Sequence, residues 1–231
     1  MEFIYDFLVR LNDNNNREWF EAHKQEYLEA QARFNLLVDE LIKEISSWDP
    51  DIDPQMKAKD CTYRIYRDVR FSKNKLPYKS HMGAYICKGG KKSPYAGYYF
   101  HVEPPGVETP DFLGGSHLFV GLHMPEPKII HSLRDEIAVN GDSFLDAIKK
   151  AKGFELMEFD MLRRVPKGYE YAKPEWQALL RHRKDFSLGM ELHKEFLFAP
   201  GLPRRLSAEF KKTLRFTTVL NMAVQYALEE M

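Results

Sequence analysis

The amino-acid sequence predicts an α+β fold, with an antiparallel sheet of four to five strands packed against a long N-terminal helix and C-terminal helices. Apolar residues recur at steps of three and four before Pro50 and again after Pro125, the period of amphipathic helices. Between them, residues 61–120 are rich in β-branched and aromatic types broken by Gly and Pro, which reads as short strands and turns. The links between these runs are too short for crossover helices, so the strands pair antiparallel rather than in βαβ units.

Each element follows in order. Ile4, Phe7, Leu8 and Leu11 form one helical stripe, and the Asn12 to Asn16 cluster interrupts it, because Asn and Asp favour turns and N-caps. Trp19, Phe20, His23, Tyr27, Ala30, Phe34, Leu37, Leu41 and Ile45 then mark a long helix, closed by Trp48-Asp49-Pro50 and Pro54. Strands are expected within 61–71, 82–90, 96–106 and 112–125, with Gly89-Gly90-Lys91-Lys92-Ser93 at a hairpin tip. Ile129, Ile130, Leu133 and Ile137 restart the helical period, which pauses at Asn140-Gly141 and resumes in Phe144, Leu145 and Ile148. Pro166 to Tyr169 reads as a turn, and helices are expected over Glu175–Arg183, Ser187–Phe198 and Leu206–Glu230. No repeat or linker marks a boundary, so residues 1–231 read as one α+β domain: 1–56 helical, 57–123 sheet, 124–231 mainly helical.

Composition excludes several classes. Among 231 residues, 34 Lys and Arg balance 34 Asp and Glu, and 44% are hydrophobic, which rules out wholesale disorder and a disulfide-stapled scaffold. Glu2 and Asp6 stand where a secretory signal needs basic residues, and no uncharged apolar stretch reaches the length of a membrane span. Cys61 and Cys87 lie in no metal-type spacing. The expectation is a reduced, cytoplasmic protein with no membrane partner and no cofactor called for by a motif.

The neutral total conceals a polarised chain. Residues 57–92 hold eleven cations against Asp60 and Asp68, a net charge of nine positive that the remainder must cancel. Read as a strand, Arg64, Tyr66, Asp68 and Arg70 point one way, and Arg67 stands alone among Tyr63, Ile65, Val69 and Phe71 on the other. A guanidinium does not deprotonate, so an arginine in an apolar row is ion-paired, snorkelling or set for a ligand. Two cations about 6 Å apart repel by about 3 kcal/mol at an effective dielectric of 20, so the cluster needs anions. A phosphate-bearing ligand, nucleotide or nucleic acid, would satisfy Arg64, Arg67, Arg70, Lys75 and Lys79, with Tyr66 and Tyr78 donating hydrogen bonds or stacking and Asp68 orienting the arginines. A solvated basic rim tied to the acidic remainder is the competing reading.

The run Arg64-x-x-Arg67-Asp68-x-Arg70-Phe71-x-x-Asn74-Lys75-x-x-Tyr78 resembles the signature of an uncharacterised bacterial family, domain of unknown function 2461. The Asn15-x-x-Glu18-Trp19-Phe20 opening, Gly97-Tyr98-Tyr99, His101-x-Glu103-Pro104 and Met124-Pro125 are similar to its members as well. The resemblance covers nearly the whole chain, and it implies no activity, ligand or catalytic residue.

Three other groups carry chemical potential. Alternation puts His101 and Glu103 on one face of a strand, and His117 shares a face with Phe119, Gly121 and His123 on the next. Two imidazoles and a carboxylate there make His101, Glu103 and His117 a candidate metal set, with a hydrogen-bonded polar network as the alternative and Arg67 as a possible partner of Glu103. His81, with Asp68 orienting it, is a candidate general acid or base on a phosphate ester; a surface histidine near lysines is the favoured alternative. No GxSxG elbow, complete phosphate loop or GxGxxG occurs, and Cys61 and Cys87 read as buried hydrophobes. The functional alternatives are thus an anion-binding protein, a phosphoester-processing or metal-dependent enzyme, and a non-catalytic assembly protein with a structural salt-bridge network whose basic segment docks an acidic surface, such as that of a second copy.

Overall fold

A computed structural model describes residues 1–70, 72, 74–106 and 114–229. Its centre is a five-stranded antiparallel sheet of β1 (Met82–Cys87), β2 (Gly97–Val102), β3 (Ser116–His123), β4 (Glu155–Leu156) and β5 (Asp185–Leu192), in the spatial order β1-β2-β3-β5-β4. The β1–β2 hairpin turns at Gly89 and Gly90, whose φ of 78° and 81° suit residues without a Cβ. The register aligns Tyr99 with Tyr85 and Phe119, and His101 with Gly83 and His117. Opposed residues share a face, so parity along β2 sorts the whole sheet.

Helices cover the face of Ala84, Ile86, Tyr98, Phe100, Leu118, Val120 and Leu188, all buried. They are α1 (Glu2–Asp13), α2 (Arg17–Ala22), α3 (Lys24–Ser46), α4 (Ala58–Cys61), α5 (Pro127–Lys150), α6 (Gln177–Leu180), α7 (Lys194–Phe198), α8 (Leu202–Lys211) and α9 (Leu214–Glu229). Phe34 of α3 stacks on Phe100 with centroids 6.0 Å apart, Phe210 of α8 meets Tyr98 at 5.2 Å, and Phe216 of α9 meets Phe186 at 5.8 Å. The Tyr98 hydroxyl, carried into this core, donates to Asp49 at 2.7 Å and lies 3.2 Å from the Thr217 hydroxyl, which meets the cost of burying it.

Local signals account for some helix ends and breaks. Asn16 caps α2 by accepting from the Trp19 amide at 2.9 Å. The expected pause at Asn140 is present as a kink inside α5, with φ −132° and ψ 35°. The turn at Pro166 closes with a hydrogen bond from the Tyr169 amide.

Four expectations change. The single helix expected from Trp19 onward is broken at His23, whose ring donates from Nδ1 to the Trp19 carbonyl at 2.8 Å and stacks on the indole at 4.0 Å. The helix expected over Leu206–Glu230 is two, α8 and α9, separated near Thr213; Glu230 lies outside the described residues. Residues 187–192, expected helical, belong to β5, because Phe186, Leu188 and Leu192 bury at period two and Gly189 lies under the Met157 and Phe119 side chains. The segment 61–71, expected as a regular strand, touches the sheet only through bridges: Thr62 pairs with Ala84 and Tyr66 with Tyr78, while Phe71 lies outside the described residues. Phe112 and Leu113, at the start of another expected strand, also lie outside them.

Candidate functional site

The sheet face opposite the helices carries Gly83, Tyr85, Tyr99, His101, His117 and Phe119, with His81 and Glu103 at its edge. Met82 pairs with Val102, so continuing that register by one step brings His81 beside Glu103. His101 stands two residues before Glu103 on the same face. The three side chains meet: His101 Nε2 is 3.2 Å from Glu103 Oε2, His81 Nδ1 is 3.7 Å from Glu103 Oε1, and the two imidazole centroids are 4.5 Å apart.

The cluster is buried and held in place. His101 and Glu103 have no solvent exposure, and the His81 side chain keeps 13%. Ser116 fixes the Glu103 backbone from β3, accepting from its amide and donating to its carbonyl, each at 3.0 Å. The Tyr99 hydroxyl lies 3.2 Å from His101 Nδ1, so both nitrogens of that ring face defined groups. Gly83 makes room for Tyr99, since a Cβ there would collide with the phenol ring. Burial drives the His101 imidazole down to about 4, more strongly than the Glu103 carboxylate supports it. For Glu103 burial acts upward, yet the hydrogen bond from His101 and the nearby His81 imidazole outweigh it and hold the carboxyl at about 2. Near neutral pH the pair is a neutral imidazole beside a carboxylate.

This revises the sequence-derived site. His101 and Glu103 come together, and the third member is His81 rather than His117. His117 faces His101 across the strands, but its Nδ1 lies 3.0 Å from the Gly115 carbonyl and its ring stacks on Phe119 at 5.4 Å. Glu103 is engaged by the two histidines and not by Arg67. Asp68 does not orient His81: its exposed carboxylate is bound by Arg70 at 2.6 Å. Tyr99 was not among the sequence-derived site residues, although the alternation that paired His101 with Glu103 also includes it.

The basic segment divides into engaged and open cations. Arg70 pairs with Asp68, and the Lys75 ammonium binds the Val69 carbonyl at 2.9 Å. Tyr78 is buried against Phe20, ring centroids 3.9 Å apart, and the amide and carbonyl of its backbone are bonded by Asn15. Arg64, Arg67 and Lys79 remain, with no ion pair among the described residues. Lys79 is partly buried with its ammonium 5.6 Å from the centre of the Tyr63 ring, and burial, then Arg64 and Arg67, pull its pKa below the ordinary lysine value. Tyr63 is 44% exposed, has Lys91 at 5.9 Å, and its ring meets Tyr99 at 6.2 Å, which links this rim to the buried cluster. Lys73 lies outside the described residues.

The thiols are held in the protonated form. Cys61 and Cys87 are fully buried, and burial pushes both up to about 12. Among the described residues, no helix is long and apolar enough to cross a membrane.

A family model described as a conserved hypothetical protein, DUF2461, matches residues 4–218. The chain belongs to that family. The DUF2461 match runs from α1 into α9 and so includes both the histidine–glutamate cluster and the basic rim. No curated protein and no solved structure matches the chain.

Proposed function

We propose that the protein binds a phosphate-bearing ligand on the rim formed by Arg64, Arg67 and Lys79, with Tyr63 as an exposed stacking surface. The observation that carries this reading is the gathering of three cations with no carboxylate in ion-pair reach among the described residues. Mutual repulsion lowers the stability of such a cluster, and an anion offsets it; guanidinium forks match phosphate oxygens, and an ammonium adds point charge. An exposed aromatic ring beside cations is the arrangement that holds a base and its phosphate together. Arg70, Lys75 and Tyr78 take supporting roles in this version, since each already has a partner within the protein.

Fluorescence binding of a labelled oligonucleotide and of a labelled mononucleotide, each across a salt series, tests the reading. Binding should weaken with salt, and Arg67→Glu or Lys79→Glu should reduce it by tenfold or more. Binding that is absent for both probes, or unchanged by these substitutions, overturns it. Preference for the oligonucleotide with a steep salt slope identifies a polynucleotide ligand; equal binding of the mononucleotide identifies a small one.

A further inference from the structure

We propose that His81, His101 and Glu103 form a binding site for one divalent transition-metal ion of the zinc or iron(II) class. The inference is independent of the anion-binding rim and stands on the geometry of the buried cluster.

The donor atoms of the three residues lie within 4.8 Å of one another, and the closest pair, His101 Nε2 and Glu103 Oε2, is 3.2 Å apart. Donors held at about 2.0–2.2 Å from an ion sit roughly 3.0–3.5 Å from each other, so small side-chain movements complete the set. The strands impose this arrangement. His101 and Glu103 share a face at positions i and i+2, and His81, just before the neighbouring strand β1, lies beside Glu103, so the three donors converge on one point.

A second observation points to an occupant. Glu103 Oε1 is buried and has no hydrogen bond among the described residues, with His81 Nδ1 at 3.7 Å, beyond hydrogen-bond range. A buried carboxylate oxygen left in that condition is costly, and a cation between the carboxylate and the two rings relieves it. With an ion on His101 Nε2, the Tyr99 hydroxyl 3.2 Å from Nδ1 would accept from that nitrogen, the outer contact that fixes the tautomer of a metal-bound imidazole. Two imidazoles and one carboxylate suit zinc or iron(II); magnesium and calcium prefer all-oxygen sets, and neither cysteine belongs to the cluster. Three protein ligands leave room for water or substrate, as catalytic metal sites do.

The test uses the purified full chain, stripped with a chelator and titrated with Zn²⁺ by calorimetry and with Co²⁺ by visible absorption. The expected result is one saturable equivalent per chain, with affinity at least tenfold lower in His81→Asn and in Glu103→Gln. Tyr99→Phe, which keeps the ring, should weaken binding by roughly tenfold. Circular-dichroism melts of each metal-free variant establish that it is folded. Absence of a saturable equivalent in the wild-type chain overturns the proposal, as does uptake undiminished in both ligand variants. X-ray absorption of the zinc-loaded wild type decides the matter even when a variant does not fold: imidazole nitrogen plus carboxylate oxygen supports the site, and sulfur or all-oxygen coordination overturns it.

Discussion

The two faces of the sheet come from the same strands and have opposite chemistry. On β2, Tyr98, Phe100 and Val102 turn into the helices and are fully buried among apolar side chains, while Tyr99, His101 and, just past its end, Glu103 turn the other way. One face is closed by α3, α5, α8 and α9; the other holds a buried imidazole–carboxylate cluster that opens toward a basic rim. Among the residues of β2 on the helical face, Tyr98 carries a hydroxyl, and it has two partners. On the opposite face the polar groups are the content, and one carboxylate oxygen is left without a hydrogen bond among the described residues. Burial by itself therefore does not separate core from site, because Phe100 and His101 are equally buried; what separates them is which groups their neighbours offer.

Substitutions can sharpen this contrast. Phe100→Ala should cost about 3–5 kcal/mol in chemical denaturation, because it removes a ring stacked on Phe34 inside closed packing. It should leave the affinity of the folded protein for anions unchanged. Gly83→Ala should destabilise by about 1–3 kcal/mol, since the new methyl displaces the Tyr99 ring, and it should also disturb the His101 environment, visible in its ring NMR signals. Equal loss of stability with no change at His101 would break the link drawn between Gly83, Tyr99 and the cluster.

Smaller effects test the division within the rim. Arg67→Glu should weaken anion binding by tenfold or more, about 1.4 kcal/mol, whereas Arg70→Glu should do less because Arg70 is already occupied by Asp68. Equal effects from the two reversals would point to general surface charge instead of a defined rim. The smallest contrast is between histidines. His101 should titrate near 4 in the metal-free protein, and His123, hydrogen-bonded by Asp185, above the ordinary histidine value. The signs differ accordingly. The unfolded chain protonates His101 first, so its contribution is lost as pH falls from about 6.5 toward 4. The contribution of His123 is in place below its ordinary value and is lost as pH rises through the elevated one. Asp185→Asn should return His123 toward its ordinary value in an NMR titration.

Local patterns revealed much of this architecture. The Asn16 cap, the pause at Asn140, the glycine hairpin tip and the alternation through 97–102 are all encoded within a few residues of where they act, so period and turn chemistry are enough to read them. Alternation also places His101 and Glu103 on one face. It leaves their third partner open: His117 lies on β3 and His81 just before β1, on either side of β2, and rotamer and register decide between them.

What the chain determined on its own is the α+β class, the polarity of residues 57–92 and the shared face of His101 and Glu103, because each depends on spacing along the backbone. Tertiary structure decided which cations are neutralised, that 187–192 pairs between β3 and β4 instead of forming a helix, and that His81 completes the buried cluster. Those outcomes depend on contacts between segments distant in sequence, where hydrogen-bond partners and counter-charges come from other elements and no local period records them.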